Sequence, residues 1–108
     1  MTNEPPDGCS GGEVFALRVL GDSMAPEFLE GEIVIVEPDG AVHDGSFVLA
    51  RADGEWTLRR LDRCDNGWVL RALNPAYRDH ALPDLAAVHG VIIQKAVPGK
   101  RRLGKSYL

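Results

Sequence analysis

The fold is indicated most strongly by residues 14–36, which read VFALRVLGDSMAPEFLEGEIVIV. Two apolar segments, 14–20 and 32–36, flank a turn that contains Gly, Pro and Ser23. Short apolar runs that are rich in β-branched residues and bounded by Gly and Pro are typical of β-strands. The stretch therefore predicts two strands joined by a turn that carries Ser23.

The rest of the chain continues this pattern of short strands and tight turns. Asp53-Gly54 predicts a two-residue hairpin, because both central positions of a type I′ turn need a positive φ. A second tight turn is predicted at residues 65–67, and no segment keeps a helical period over more than about one turn. Further strands are predicted over residues 46–52, 55–61, 68–73 and 88–97. The sequence therefore predicts an all-β barrel or sandwich of short, mostly antiparallel strands.

Length and composition predict one domain with a single modest core, since the chain has 108 residues and 44% hydrophobic content. Residues 1–12 are polar and rich in Gly and Pro, which predicts a flexible N-terminal tail. The β domain is expected over residues 13–98, followed by a basic tail over 99–108. No apolar run is long enough to cross a membrane, and the first residues lack the apolar core of a signal peptide. We therefore expect a cytoplasmic protein with no membrane partner.

The charge distribution argues against direct nucleic-acid binding. All sixteen acidic residues lie at or before Asp84, whereas four of the twelve basic residues lie after residue 99. Without those four, eight basic residues face sixteen acidic ones, and such a body would repel phosphate backbones. The basic tail leaves open a contact with nucleic acid or an acidic partner, although a short charge run is usually only solvated.

The cysteines and histidines show no metal-binding pattern. Cys9 and Cys64 form no CxxC spacing and lie in a predicted tail and a predicted turn, so we expect free thiols. His43, His80 and His89 are scattered through loops and the start of a strand. The sequence therefore predicts no metal and no cofactor.

Ser23 is the candidate for chemistry. A serine between a strand end and a Pro-containing turn can present its hydroxyl beside free backbone N–H groups that would bind an oxyanion. Taken alone, a Ser after Gly-Asp is more often a turn former whose hydroxyl bonds its own backbone. Both interpretations remain open from these residues by themselves.

Five blocks follow one another along the chain: GDSMAPEFLEGEIVIV (21–36), GSFVLAR (45–51), DGEWTLRRL (53–61), LNPAY (73–77) and VHGVIIQKAV (88–97). Their order resembles the peptidase S24 family, which comprises the C-terminal domains of LexA-like repressors, UmuD-like mutagenesis proteins and related phage repressors. The resemblance covers roughly residues 14–97. Bacterial signal peptidases share a Ser-Met nucleophile and distant fold kinship, but they look less similar because they carry a membrane anchor.

The resemblance implies a β-rich fold with a Ser-Lys dyad, in which Ser23 matches the nucleophile. Asp22 and Met24 would lie beside the substrate or the oxyanion. The family's lysine base lies in a TVKRL-like strand, and alignment with TLRRL puts Arg59 at that position. The lysines of this chain lie in the last predicted strand or in the tail, at Lys95, Lys100 and Lys105.

The arginine changes the expected chemistry. A buried lysine can act as a base because desolvation lowers its pKa, whereas a guanidinium does not deprotonate inside proteins. Arg59 is therefore expected to hold Ser23 in place or to bind a carboxylate, with a loss of about 10²–10⁴ in rate or more. Strand alternation places Arg59 on the face of Leu61 and opposite to Leu58, which fits a site residue or an edge arginine over the core.

Self-cleavage, as in the family's repressors, is not expected. Only 22 residues precede Ser23, and they contain no helix-turn-helix and no Ala-Gly or Cys-Gly bond. The sequence instead predicts a stand-alone domain with weak or no peptidase activity. It would bind a peptide segment or another protein, or form a homodimer, as relatives of the family do through the β-rich domain. The alternative is an active serine peptidase in which Asp22 or a histidine accepts the proton of Ser23.

Overall fold

The computed structural model describes residues 13–52, 54–99 and 104–107. These residues form eight strands and no helix, so the all-β prediction is confirmed. In chain order the strands are β1 (Phe15–Arg18), β2 (Ile33–Glu37), β3 (Ser46–Ala52), β4 (Glu55–Cys64), β5 (Gly67–Arg71), β6 (His80–Leu82), β7 (Val88–Ala96) and β8 (Lys105–Ser106).

The strands hydrogen-bond as one continuous antiparallel sheet. Their order is β1-β2-β7-β3-β4-β5-β6, and β8 pairs with β7 outside this path. The sequence did not distinguish a barrel from a sandwich. In the structure, hydrogen bonds join all eight strands into one sheet rather than two separate sheets. Within the described residues no helix is long and apolar enough to span a membrane.

The β3–β4 hairpin fixes the position of Arg59, the residue aligned with the family's lysine base, relative to β3. The pairing runs from Ser46 opposite Leu61 to Ala52 opposite Glu55. Gly54 has a φ of +79°, the left-handed conformation that its turn requires, and Asp53 lies outside the described residues. This register puts Arg59 directly opposite Val48.

Strand β7 lies inside the sheet and pairs with three other strands. It pairs with β2 along one edge, while β3 and β8 pair in succession along the other edge. Gly90 permits the close approach of β7 to β2, because a Cβ at this position would lie 2.4 Å from Cγ1 of Val36. Strand β7 therefore connects β2 with β8.

The sequence pattern did not predict β6 and β8, and it predicted β4 three residues too short. Strand β4 extends to Cys64 because Asp62 and Arg63 pair with residues of β5. Strand β6 has three residues, and β8 has two residues inside the segment predicted as a basic tail. Segments this short carry no periodic signal and exist only through pairing with β5 and β7. The predicted N-terminal tail, with Cys9, lies outside the described residues, whereas Cys64 is an exposed free thiol.

The apolar core consists of two clusters. Leu58 belongs to the first and Leu61 to the second, as expected for strand residues three positions apart. The buried members of the first cluster are Val19, Met24, Phe28, Val34, Val36, Leu49, Leu58 and Ile92. Those of the second are Val48, Ala50, Leu61, Leu70 and Val91. The turn that carries Ser23 is anchored in the first cluster through Met24 and Phe28.

Candidate functional site

The turn between β1 and β2 holds Ser23 at the edge of the first core cluster. The N–H of Ala25 donates to the carbonyl of Asp22 (3.1 Å), and the N–H of Phe28 donates to the carbonyl of Met24 (2.9 Å). Phe28 is fully buried, whereas Ser23 is half-buried. Backbone hydrogen bonds and two buried side chains therefore fix the position of the serine.

Arg59 contacts Ser23 directly. Its Nη1 donates to Oγ of Ser23 at 2.9 Å and to the carbonyl of Leu58 at 2.8 Å. Its guanidinium carbon lies 5.8 Å from the centre of the Tyr77 ring, within the range of a cation–π contact. The structure thus brings together the two residues that the sequence singled out, although 36 positions separate them.

The direction of this hydrogen bond decides what the pair can do. A guanidinium has five N–H donors and no acceptor, so Oγ of Ser23 accepts and Arg59 does not take the hydroxyl hydrogen. Burial lowers the pKa of Arg59 from its ordinary value, while the nearby Tyr77 opposes the shift. Nε of Arg59 is shielded from water and has no hydrogen-bond acceptor in the described part of the chain.

A loop at residues 74–77 clamps the serine turn from the other side. The N–H of Asn74 donates to the carbonyl of Ser23 at 3.0 Å, and its Nδ2 donates to the carbonyl of Asp22 at 3.1 Å. The hydroxyl of Tyr77 donates to Oδ1 of Asp22 at 2.6 Å, and this hydrogen bond raises the pKa of Tyr77. Asn74 and Tyr77 were not predicted as site residues; the LNPAY block was visible, but its contact with the serine turn depends on tertiary structure.

Asp22 and Met24 occupy different environments. The side chain of Asp22 is exposed and accepts the hydrogen bond from Tyr77. The side chain of Met24 is 1% exposed and packs in the first core cluster. Only the backbone of Met24 is therefore left for the predicted oxyanion role, which stays a prediction.

Two of the histidines considered as alternative bases have other partners. Nδ1 of His43 lies 3.2 Å from Oγ of Ser46, and the His89 ring lies 4.7 Å from the Trp56 ring. His80 lies in β6 opposite Leu70. Among the described residues, no group of three or more His, Cys, Asp or Glu side chains is arranged to hold a metal ion.

Lys95 contacts the far end of the serine turn rather than Ser23. Its Nζ donates to the carbonyl of Glu27 and lies 3.4 Å from Oε1 of Glu32. The side chains of Lys95 and Glu32 are 12% and 8% exposed, so this is a nearly buried ion pair. Glu32 also accepts the N–H of Leu29 at 2.8 Å. The pair therefore fastens the turn to β7.

Strand β8 docks on the same end of the turn. Glu27 Oε2 accepts from the Tyr107 hydroxyl at 2.6 Å and from Nζ of Lys105 at 3.0 Å. The Tyr107 ring lies 5.4 Å from the rings of Phe28 and Phe47. The hydrogen bond from Tyr107 is the main reason why the pKa of Glu27 is lowered. Burial, followed by the bond to Glu27, raises the pKa of Tyr107 well above its usual range.

Comparison with known proteins agrees with this architecture. A family model described as Peptidase S24-like matches residues 4–93. The chain therefore belongs to the peptidase S24-like family, and the resemblance of its sequence blocks is confirmed. It is 34% identical over 92 residues to the LexA repressor of Syntrophotalea carbinolica (strain DSM 2380 / NBRC 103641 / GraBd1). The match covers 82% of this chain and 46% of the relative, so the chain spans about half the length of the curated relative it matches.

Proposed function

We propose that this chain is an S24-like domain with weak or no peptidase activity, which acts by binding a peptide segment of another protein. One observation carries the proposal: Nη1 of Arg59 donates to the oxygen of Ser23 at 2.9 Å. A serine nucleophile needs an acceptor for its proton, and a guanidinium is not one.

The surroundings of Ser23 support the same proposal. Lys95 is engaged by Glu27 and Glu32, and the carboxylate of Asp22 accepts a hydrogen bond from Tyr77. Both groups therefore already have partners that oppose their use as the base. The serine turn and the neighbouring loop keep their geometry without catalysis, because core packing and hydrogen bonds from Asn74 hold the turn in place.

The proposal is tested by labelling Ser23 with a fluorophosphonate probe between pH 6 and 10, in the parent and in Arg59→Lys. We expect the parent to react at least about 10²-fold more slowly than the variant, because only an amine can lose its proton in this range. Labelling of the variant should increase with pH.

The matched control is Arg60→Lys, since Arg60 forms its two hydrogen bonds with Asp62, at 2.9 and 3.0 Å. This variant should remain as unreactive as the parent. Rapid labelling of the parent that disappears in Ser23→Ala would overturn the proposal. It would favour the alternative of an active serine peptidase in which Asp22 or a histidine activates Ser23.

Self-association is the second way in which such a domain would act. Strand β8 extends the sheet beside β3, so the last described segment belongs to the sheet rather than hanging free of it. A homodimer remains part of the proposal, as does a cytoplasmic location.

A further inference from the structure

The Ser23–Arg59 pair presents hydrogen-bond donors that have no acceptor in residues 13–52, 54–99 and 104–107. Nη1 of Arg59 uses its hydrogens on Ser23 and on the Leu58 carbonyl. Nε is shielded from water and has no acceptor among the described residues, whereas Nη2 is not shielded in this way and forms no hydrogen bond with them. Because the oxygen of Ser23 accepts from Arg59, its own hydrogen is free to be donated outward. Donors thus remain on both side chains.

The charge of Arg59 also lacks a counter-charge within the described part of the molecule. Arg60 is paired with Asp62, and the nearest acidic neighbour of Ser23 in sequence, Asp22, is bonded to Tyr77. Arg51 and Arg63 also form no ion pair with a carboxylate of the described residues, but both are exposed to water. Arg59 is half-buried, so its charge is less well solvated, as the direction of its pKa shift indicates.

A carboxylate is the group that these features fit. One of its oxygens can accept from Nη2 of Arg59, and the other can accept from the serine hydroxyl. The Tyr77 ring, against which the guanidinium lies, limits how far Arg59 can turn away. A neutral amide can also accept hydrogen bonds, but it carries no charge to balance that of Arg59.

We propose that the Ser23–Arg59 pair is a carboxylate-binding subsite, which recognises an acidic side chain or the C-terminal carboxylate of the bound peptide. This inference rests on the proposed function, because it names the chemistry of the peptide that the site would take. Arg59, which does not act as a base for Ser23, would then select the ligand by binding its carboxylate.

The test follows the side-chain Nε–Hε signal of Arg59 by NMR during titration with four peptides. The first two are acetyl-tetra-alanine with a free C-terminal carboxylate and the same peptide with an amidated C-terminus. The other two are acetyl-Ala-Ala-Glu-Ala-Ala-amide and its Gln counterpart. We expect at least one carboxylate peptide to shift this signal and to bind about tenfold or more tightly than its neutral counterpart. The two peptide pairs distinguish a C-terminal carboxylate from an acidic side chain.

Variants separate the subsite from a general charge effect. Arg59→Gln should abolish the preference for the carboxylate, and Ser23→Ala should weaken it several-fold while Arg59 stays in place. Arg60→Gln, which removes a neighbouring positive charge, should leave the preference unchanged. Equal binding of acidic and neutral peptides would overturn this inference and leave peptide binding intact. If the carboxylate peptides do not bind at all, the inference fails, and if none of the four binds, the proposed peptide-binding function fails with it.

Discussion

At position 59, arginine and lysine differ in the direction of the hydrogen bond that they can form with Ser23. A neutral lysine amine accepts the serine hydrogen, whereas the guanidinium donates to the serine oxygen. The distance of 2.9 Å would suit either arrangement, so the proton chemistry at Ser23 depends on the type of residue at position 59. The residue type alone makes this difference.

Met24 provides a test of what holds the serine turn in place. Its side chain is 1% exposed in the first core cluster, so Met24→Ala should lower the free energy of unfolding by about 2–5 kcal/mol. Met24→Leu keeps most of the volume and should cost less than about 1.5 kcal/mol. Urea denaturation followed by tryptophan fluorescence measures both values. An alanine variant as stable as the parent would mean that Met24 does not anchor the turn.

The residues that could be foreseen are those whose signal is local. Gly54 indicates a turn because the turn needs a positive φ, and β2, β3 and β7 are indicated by continuous apolar segments in the sequence. The adjacency of Ser23 and Arg59 came from the family resemblance, because no local signal links positions so far apart. The contacts of Asn74, Tyr77 and Lys95 with the serine turn could not be foreseen, since they depend on strand order and not on spacing.

At the scale of elements, β8 is held to the serine turn by groups whose pKa values shift in opposite directions. The pKa of Glu27 is lowered from 4.5, so its contribution is present above that value and is lost as pH falls through the lowered pKa. The pKa of Tyr107 is raised from 10.0, so its contribution is present below 10.0 and is lost as pH rises further. Docking of β8 should therefore be strongest between these two values.

Hydrogen exchange of the Tyr107 amide measures this docking, because its N–H donates to the carbonyl of Ile93 at 2.9 Å. We expect protection relative to an unstructured peptide to fall below pH 4.5 and above pH 10. The control is Tyr107→Phe, which keeps the ring packing but removes the hydroxyl. In this variant, protection of the residue 107 amide should fall less steeply below pH 4.5 and should no longer fall above pH 10. An identical profile in the two proteins would contradict the assignment.

At the scale of the whole molecule, the acidic body and the partly docked C-terminal segment argue against binding to nucleic acid. Lys105 is bonded to Glu27 and contributes less free positive charge than the sequence suggested. We expect no binding to a duplex oligonucleotide at low salt, measured by fluorescence anisotropy, in the full chain or after truncation behind Pro98. Binding with a steep salt dependence that is lost on truncation would establish the tail as a nucleic-acid contact instead.

The fastening of the serine turn at Glu27 also has a consequence for biosynthesis. Glu27 and Tyr107 are 80 positions apart, and Lys95 reaches the same residue across 68 positions. Contacts of such long range form only after the intervening chain has been made, because both partners must be present. The turn that carries Ser23 is translated before β7 and β8, yet it acquires the supports at Glu27 only when those two strands emerge. Until β7 and β8 have been made, the nascent chain therefore carries an incompletely supported site.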